Sequence, residues 1–262
     1  MLLLPRTLAY SSLLLALALL SSCGSRDSTS PEPETQNGDA AAERVATPAG
    51  SATPASTLEK SSVVLLPYGS VQRASIWNLA EWKDKADKEI DVCWENPEAA
   101  ALPIRELVQR SVAETWATYS KLGFVGWESC SATSRGIRIF VADEGPHVKA
   151  LGKYLANYPK GMVLNFDFGK WSPSCQSTRE FCIWAVAVHE FGHAIGFAHE
   201  QNRADAPWEC SRDHHQGTDG DWNLTLYDPE SIMNYCNTEW NNAGKLSARD
   251  IQAVQLIYDA RA

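Results

Sequence analysis

The run His189-Glu190-Phe191-Gly192-His193-Ala194-Ile195-Gly196-Phe197-Ala198-His199-Glu200 holds the residue types and spacing that could do chemistry in this chain. Histidines four apart on a helix lie about 40° apart around its axis, so His189 and His193 share one face about one turn apart. Both imidazoles can then reach one metal ion, and Glu190 beside the first can handle a proton. On a continuous helix His199 would point elsewhere. Gly196 removes that difficulty: glycine accepts the left-handed conformation that ends helices, so the chain can turn back and deliver His199 as a third ligand. Three nitrogen ligands leave a fourth position for water, the arrangement of a catalytic rather than a structural zinc. A buried helix with histidines satisfied by backbone groups would account for a bare His-Glu-x-x-His. It does not account for the glycine and third histidine at these offsets.

This signature, followed by Glu200, Gln201, Arg203 and Asp205, resembles the metzincins, and within them the astacin family of zinc endopeptidases. Downstream, Tyr227-Asp228-Pro229-Glu230-Ser231-Ile232-Met233-Asn234-Tyr235 is similar to the family's methionine turn, Ser-x-Met-x-Tyr. The resemblance is strongest over 181–258 and extends loosely over 61–262. It implies an α+β fold: an N-terminal twisted sheet with two helices, one of them zinc-binding, and an irregular C-terminal half with a methionine turn and a C-terminal helix. The active helix would form the floor of a cleft between the halves. It further implies one catalytic Zn2+ on His189, His193 and His199, with Glu190 as the general base that passes a proton from water to the leaving amine. Tyr235 would bind the metal weakly or donate to the oxyanion, and Met233 would form an apolar floor beneath the metal. In the family, Glu200 pairs with a freed N-terminus. Ala206 stands where an arginine is usual, and the cysteines follow no obvious family pairing.

The substrate so implied is a protein or peptide, cut by a monomer. Two other readings use the same residues. One is a non-catalytic surface binding module, which would be marked by loss of Glu190 or of a ligand, and all are present. The other is a zinc amidase acting on an amide of cell-wall material.

The chain opens with leucines, Arg6 and an apolar run over Leu13–Leu20, then Leu20-Ser21-Ser22-Cys23. Residues 1–22 read as a secretory signal, too short and interrupted to span a membrane as a helix. Its end resembles a bacterial lipobox, which implies lipid on Cys23 as a membrane anchor. Gly24 would sort the product to the outer membrane of a Gram-negative bacterium, or leave it extracellular once the tether is cut. Residues 23–60 are Ser, Thr, Pro, Ala and Glu with almost no large apolar side chain, a flexible tether ahead of a catalytic domain over 61–262. Asn37-Gly38-Asp39 is similar to the aspartate latch of some astacin propeptides, but in such a segment it reads as tether.

The net charge of −9 disfavours nucleic acid or an anionic membrane surface as partner. Setting Cys23 aside from the seven cysteines leaves Cys93, Cys130, Cys175, Cys182, Cys210 and Cys236. An even set in an exported chain argues for up to three disulfides among 15 possible connectivities, with Cys175–Cys182 the easiest to draw. His147, His214 and His215 read as surface or loop residues. More of the ten tryptophans are expected in the core than on a binding face.

Val63–Leu66, Ile90–Trp94, Phe124–Trp127, Ile137–Val141 and Met162–Phe166 read as strands. A helix is predicted from Pro103 through Tyr119, its apolar face carrying Ile104, Leu107, Val108, Val112 and Trp116. Ser177 and Glu180 suggest a capping box ahead of the metal-binding helix over Phe181–Ile195. Residues 201–230 read as a long loop region. Ser247 and Asp250 suggest a second cap, before a helix burying Ile251, Val254, Ile257 and Tyr258.

Overall fold

The computed structural model describes residues 70–77 and 88–259, all within the unit Ser61–Ala262. The strand expected at Val63–Leu66 and everything assigned to residues 1–60, the latch-like Asn37-Gly38-Asp39 included, lie outside the described residues.

The strands are β1 (Ser70–Val71), β2 (Lys88–Trp94), β3 (Leu122–Ser129), β4 (Ile137–Val141), β5 (His147–Val148), β6 (Met162–Leu164) and β7 (Trp222–Asn223). The helices are α1 (Leu102–Glu114), α2 (Trp116–Tyr119), α3 (Arg179–Ala194), α4 (Trp208–His214) and α5 (Ala248–Tyr258). Five strands form one sheet in the order β3-β2-β4-β6-β5, parallel except for β5, which runs antiparallel to β6 along the edge. β1 pairs antiparallel with β7 in a separate two-stranded ribbon. The architecture is the expected α+β one, with the sheet in the N-terminal half and few regular elements after α3.

Burial alternates along β2 and β4, with Glu89 and Asp91 exposed between the buried Ile90 and Val92, so one face of the sheet carries the core. Ile90, Val92, Trp94, Ile137, Ile139, Met162 and Leu164 are all buried. Against them packs α3, whose residues from Ala185 to Ala194 are entirely buried. A helix buried all round must be held by its neighbours. Here polar atoms on large side chains do much of that: Trp77 Nε1 donates to Ala194 O, Trp116 Nε1 to Val188 O, Trp184 Nε1 to Gly244 O, and Tyr258 Oη to Ile195 O, each at 2.7–2.9 Å.

Two local expectations need correction. The helix predicted through Tyr119 breaks at Thr115 (φ −115°, ψ −97°). Thr115 Oγ1 donates to Ser111 O at 2.6 Å and Thr118 Oγ1 to Ala113 O at 2.7 Å, so hydroxyls compete for the carbonyls of the last turn. The break lets Trp116 turn into the core. The capping box at Ser177 and Glu180 does not form either. The N-cap residue is Thr178 without a side-chain cap, and Ser177 Oγ bonds back to Ser174 O at 3.0 Å. The entry to α3 is pinned instead by the Cys175–Cys182 disulfide, as drawn from the sequence. Cys93–Cys130 staples β2 to the end of β3, and Cys210–Cys236 ties α4 to the segment just after Tyr235. Within 201–230, α4 and β7 are short elements in an otherwise irregular region.

The cap predicted at Ser247 does form: Ser247 Oγ accepts from Asp250 N, and Asp250 Oδ2 accepts from Ser247 N, both at 2.9 Å. Of the face expected on α5, Val254, Ile257 and Tyr258 are buried, joined by Ala253, while Ile251 is half-buried. Asp250 also reaches out of its helix. It accepts from Ser231 Oγ at 2.7 Å and Ile232 N at 2.9 Å, so one buried carboxyl caps α5 and holds the segment before Met233. Burial raises its pKa to about 6, against the pull of these bonds. Replacing it strands several buried donors at once, each costing about 1–3 kcal/mol. Asp250→Ala should therefore lower the unfolding free energy by about 3 kcal/mol or more, and Ser247→Ala by only about 1–2 kcal/mol. Urea midpoints of the two variants test this, and equal losses would contradict it.

Candidate metal centre and active site

The site begins with the end of α3. Gly196 adopts φ +106°, a conformation that disfavours any residue with a Cβ, and there the chain leaves the helix as the sequence predicts. The residues that follow are held by β1: Ala198 N donates to Ser70 O at 3.1 Å, and Gln72 N to Gly196 O at 3.2 Å. His199 is thereby returned to the face that carries His189 and His193.

All three imidazoles are buried, and their candidate ligand nitrogens lie within 4.8 Å of one another. Each Nδ1 lies against a backbone carbonyl, which can only accept. His189 pairs with Ile232 O at 2.8 Å, His193 with Phe197 O at 2.7 Å and His199 with Gln216 O at 2.9 Å. The Nδ1 atoms therefore carry the protons, and every Nε2 presents a lone pair. Those lone pairs converge: His199 Nε2 stands 3.3 Å from that of His189 and 3.1 Å from that of His193. Three acceptors at this distance cannot bond each other and repel unless a cation lies between them. Nitrogens at 2.0–2.1 Å from a tetrahedral zinc are about 3.3–3.4 Å apart, so the residues present fit that ion. Burial lowers the pKa of all three, His189 to about 3, which keeps them neutral and able to coordinate.

Glu190 is buried beside the cluster, and its Oε2 has no hydrogen-bond partner among the described residues. Burial pushes its carboxyl up to about 8. A buried acceptor left unpaired costs free energy that a purely structural residue would have no reason to retain. Tyr235 is 36% exposed, its ring stacked on His189 (centroids 5.3 Å apart, planes at 12°) and 4.5 Å from the His199 ring. Tyr235, His193, His199 and Glu190 all line one cavity. Met233 lies beneath, 1% exposed. A Cβ on Gly192 would meet its sulfur at 2.4 Å, so glycine at this position is what lets the methionine turn close against α3.

The structure thus brings together every residue singled out for the site: His189, His193, His199, Glu190, Tyr235 and Met233. Glu200 finds partners inside the chain. Its Oε1 accepts from Asp228 N at 2.8 Å and lies 3.4 Å from Arg203 Nε. Asp205, without an arginine at position 206, takes a bidentate pair from Arg203 at 2.8 and 2.7 Å, which holds its carboxyl below the usual range.

Sequence reasoning missed three contributors. Gln201 is fully buried and bridges two segments: its Oε1 accepts from Tyr235 N at 3.1 Å, and its Nε2 donates to His214 O at 3.2 Å. Its place in the extended signature, two residues after His199, gives no sign of these contacts. The carbonyls of Ile232, Phe197 and Gln216 are invisible to any reading of side chains. His147, read as a surface or loop residue, is indeed exposed, on edge strand β5, and also lines the cavity that holds Glu190, a role the sequence did not assign. His215 makes an exposed pair with Asp219 at 3.1 Å.

Residues 175–257 match the family model for the astacin peptidases, a match covering less than half of the chain. No curated protein matches the chain. Among solved structures, that of myroilysin is 22% identical with a TM-score of 0.51, covering 74% of this chain and all (100%) of that one. High choriolytic enzyme 1, a hatching enzyme zinc-protease from Oryzias latipes (medaka fish), is 17% identical with a TM-score of 0.47, covering 72% of this chain and 96% of that one. The likeness to myroilysin shows the fold. The family match spans the three-histidine centre and the methionine turn, and the chain is a zinc metalloendopeptidase with an astacin-type site and one catalytic Zn2+.

Proposed function

We propose that this chain is an exported endopeptidase that hydrolyses peptide bonds of extracytoplasmic proteins, with His189, His193 and His199 as zinc ligands and Glu190 as general base. One atom carries it: Glu190 Oε2, buried and unpaired beside three convergent imidazole lone pairs. When bound, zinc polarises the scissile carbonyl and lowers the pKa of water from ~16 towards ~7. Glu190 accepts the proton of the attacking water and delivers it to the leaving amine. Beside a bound dication the Glu190 carboxyl would be held ionised, as an acceptor of the water's proton must be. Tyr235 donates to the developing oxyanion, held by its stacking on His189 and by the Gln201 bond to its backbone. The carbonyls on each Nδ1 keep the ligands from turning and raise their basicity.

The leader supports export. An apolar run ending in Leu20-Ser21-Ser22-Cys23 has the pattern of a lipidated signal, and a tether over 23–60 would hold the catalytic domain off an outer membrane. Each buried methylene of the acyl chains contributes roughly 0.8 kcal/mol to anchoring.

The purified protein should hold one zinc per chain by elemental analysis, and a chelator should remove both metal and peptide hydrolysis. Glu190→Gln should keep the zinc and lose turnover by ~10²–10⁴-fold or more. Undiminished turnover in that variant would move the base elsewhere.

Tyr235→Phe should lower kcat by ~10²–10³-fold while KM, zinc content and melting temperature change little, the pattern of a donor used only in the transition state. A lowered melting temperature with unchanged kcat would instead make the hydroxyl structural.

Intact-mass measurement of membrane-extracted protein should show acyl groups that vanish in Cys23→Ser. A soluble wild-type product beginning at another residue would end the anchoring proposal.

A further inference from the structure

The cleft has two chemically different sides. On one, a cavity of about 190 Å³ is lined by His147, Lys149, His193, His199 and Thr218, together with the Glu190 and Tyr235 that also line the second. On the other, a larger cavity of about 390 Å³ opens against His189, Glu190 and Tyr235. Its remaining walls include Trp171, Trp240, Val186, Pro146 and Gly145. We infer that this second cavity selects a large apolar, preferably aromatic, side chain on the residue flanking the scissile bond. The inference rests on the endopeptidase reading and narrows its substrate class.

Three observations carry it. First, Trp171 and Trp240 are each 41% exposed, and both belong to this one cavity. Exposed tryptophans otherwise cost hydration free energy, and two at one site beside reacting groups mark a surface built to be covered. Second, both are backed by other rings. Trp171 packs on the fully buried Phe168, centroids 6.3 Å apart, and its indole lies 3.4 Å from where a Cβ on Gly145 would stand. Trp240 packs on Phe181 at 6.2 Å. Trp171 is therefore held in place before substrate arrives and its binding immobilises little, while Trp240 leans on a ring that is itself 44% exposed. Flat walls suit a flat guest, since offset or edge-on ring pairs add to the area they bury.

Third, charge rules against the alternatives. Among the described residues no Lys or Arg lines the cavity, and its one carboxylate is Glu190. An acidic guest would be stripped of water with no cation to meet it and would face Glu190. A basic guest would be drawn to Glu190 and would block the group the reaction needs. A small side chain would leave both indoles wet.

The test is competition. Peptides identical but for one residue flanking the cleaved bond (Phe, Trp, Ala, Glu or Lys) are mixed and cut by the zinc-loaded full chain, and the products are counted by mass spectrometry. Relative kcat/KM values obtained in one tube do not depend on how much enzyme is folded, so a poorly folding variant still reports. The aromatic peptides should exceed the Glu, Lys and Ala ones by roughly 10–200-fold. Trp171→Ala and Trp240→Ala should each reduce that preference by about tenfold. A wild-type preference for Glu, Lys or Ala, or an aromatic preference unchanged in both variants, would overturn the inference while leaving the peptidase intact. Failure of the zinc-loaded chain to cut any peptide would overturn the peptidase reading and the inference together.

Discussion

Three neutral imidazoles must point lone pairs at one spot within about 3 Å of each other, an arrangement that is repulsive in itself. The rest of the structure is organised around sustaining it. Each ring is turned the right way by one carbonyl, and the three carbonyls come from separate parts of the chain: the turn just past α3, the loop after α4 and the methionine turn. None can be displaced without freeing a ring to rotate. The sheet and α1 fix α3, the glycine after α3 returns His199, and the C-terminal half supplies the other two anchors.

That dependence explains where the protein keeps its buried polar groups. Asp250, Asp228, Ser231, Ser247, Asn234 and Glu200 are all buried, and all lie on or beside the methionine turn. They are linked to one another: Glu200 accepts from the Asp228 amide, Ser231 donates to Asp250, and Asn234 Nδ2 donates to Asp228 O at 2.9 Å. An apolar core would have been cheaper to bury, but it would not have set the position of a backbone carbonyl to a few tenths of an ångström. A fully satisfied network does so because each of its bonds is directional.

The ligands were legible in the sequence because their spacing follows from covalent geometry: 3.6 residues per turn puts two histidines on one face, and a glycine permits the return of the third. Ser247 with Asp250 and Cys175 with Cys182 were legible for the same reason, each being a contact within one turn or a short loop. What could not be read depended on distant partners. The Nδ1 anchors are carbonyls, which every residue has. Strand β5 is two residues long and has no periodicity to detect. The break at Thr115 turns on hydroxyls that compete for carbonyls and on a tryptophan drawn to α3. Ser177 had a cap's composition, but a turn just before it captured its hydroxyl.

The order in which the anchors occur along the chain has a bearing on biosynthesis. His189 and His193 leave the ribosome, and cross a membrane if the chain is exported, before the carbonyls of Gln216 and Ile232 exist in any position to meet the ring nitrogens. Until Ile232 has docked beneath α3, the first histidine is free to flip, and two lone pairs rather than three converge. The growing or threading polypeptide therefore contains the whole signature yet cannot assemble its hydrolytic centre. The centre is complete only once the C-terminal half has folded against α3.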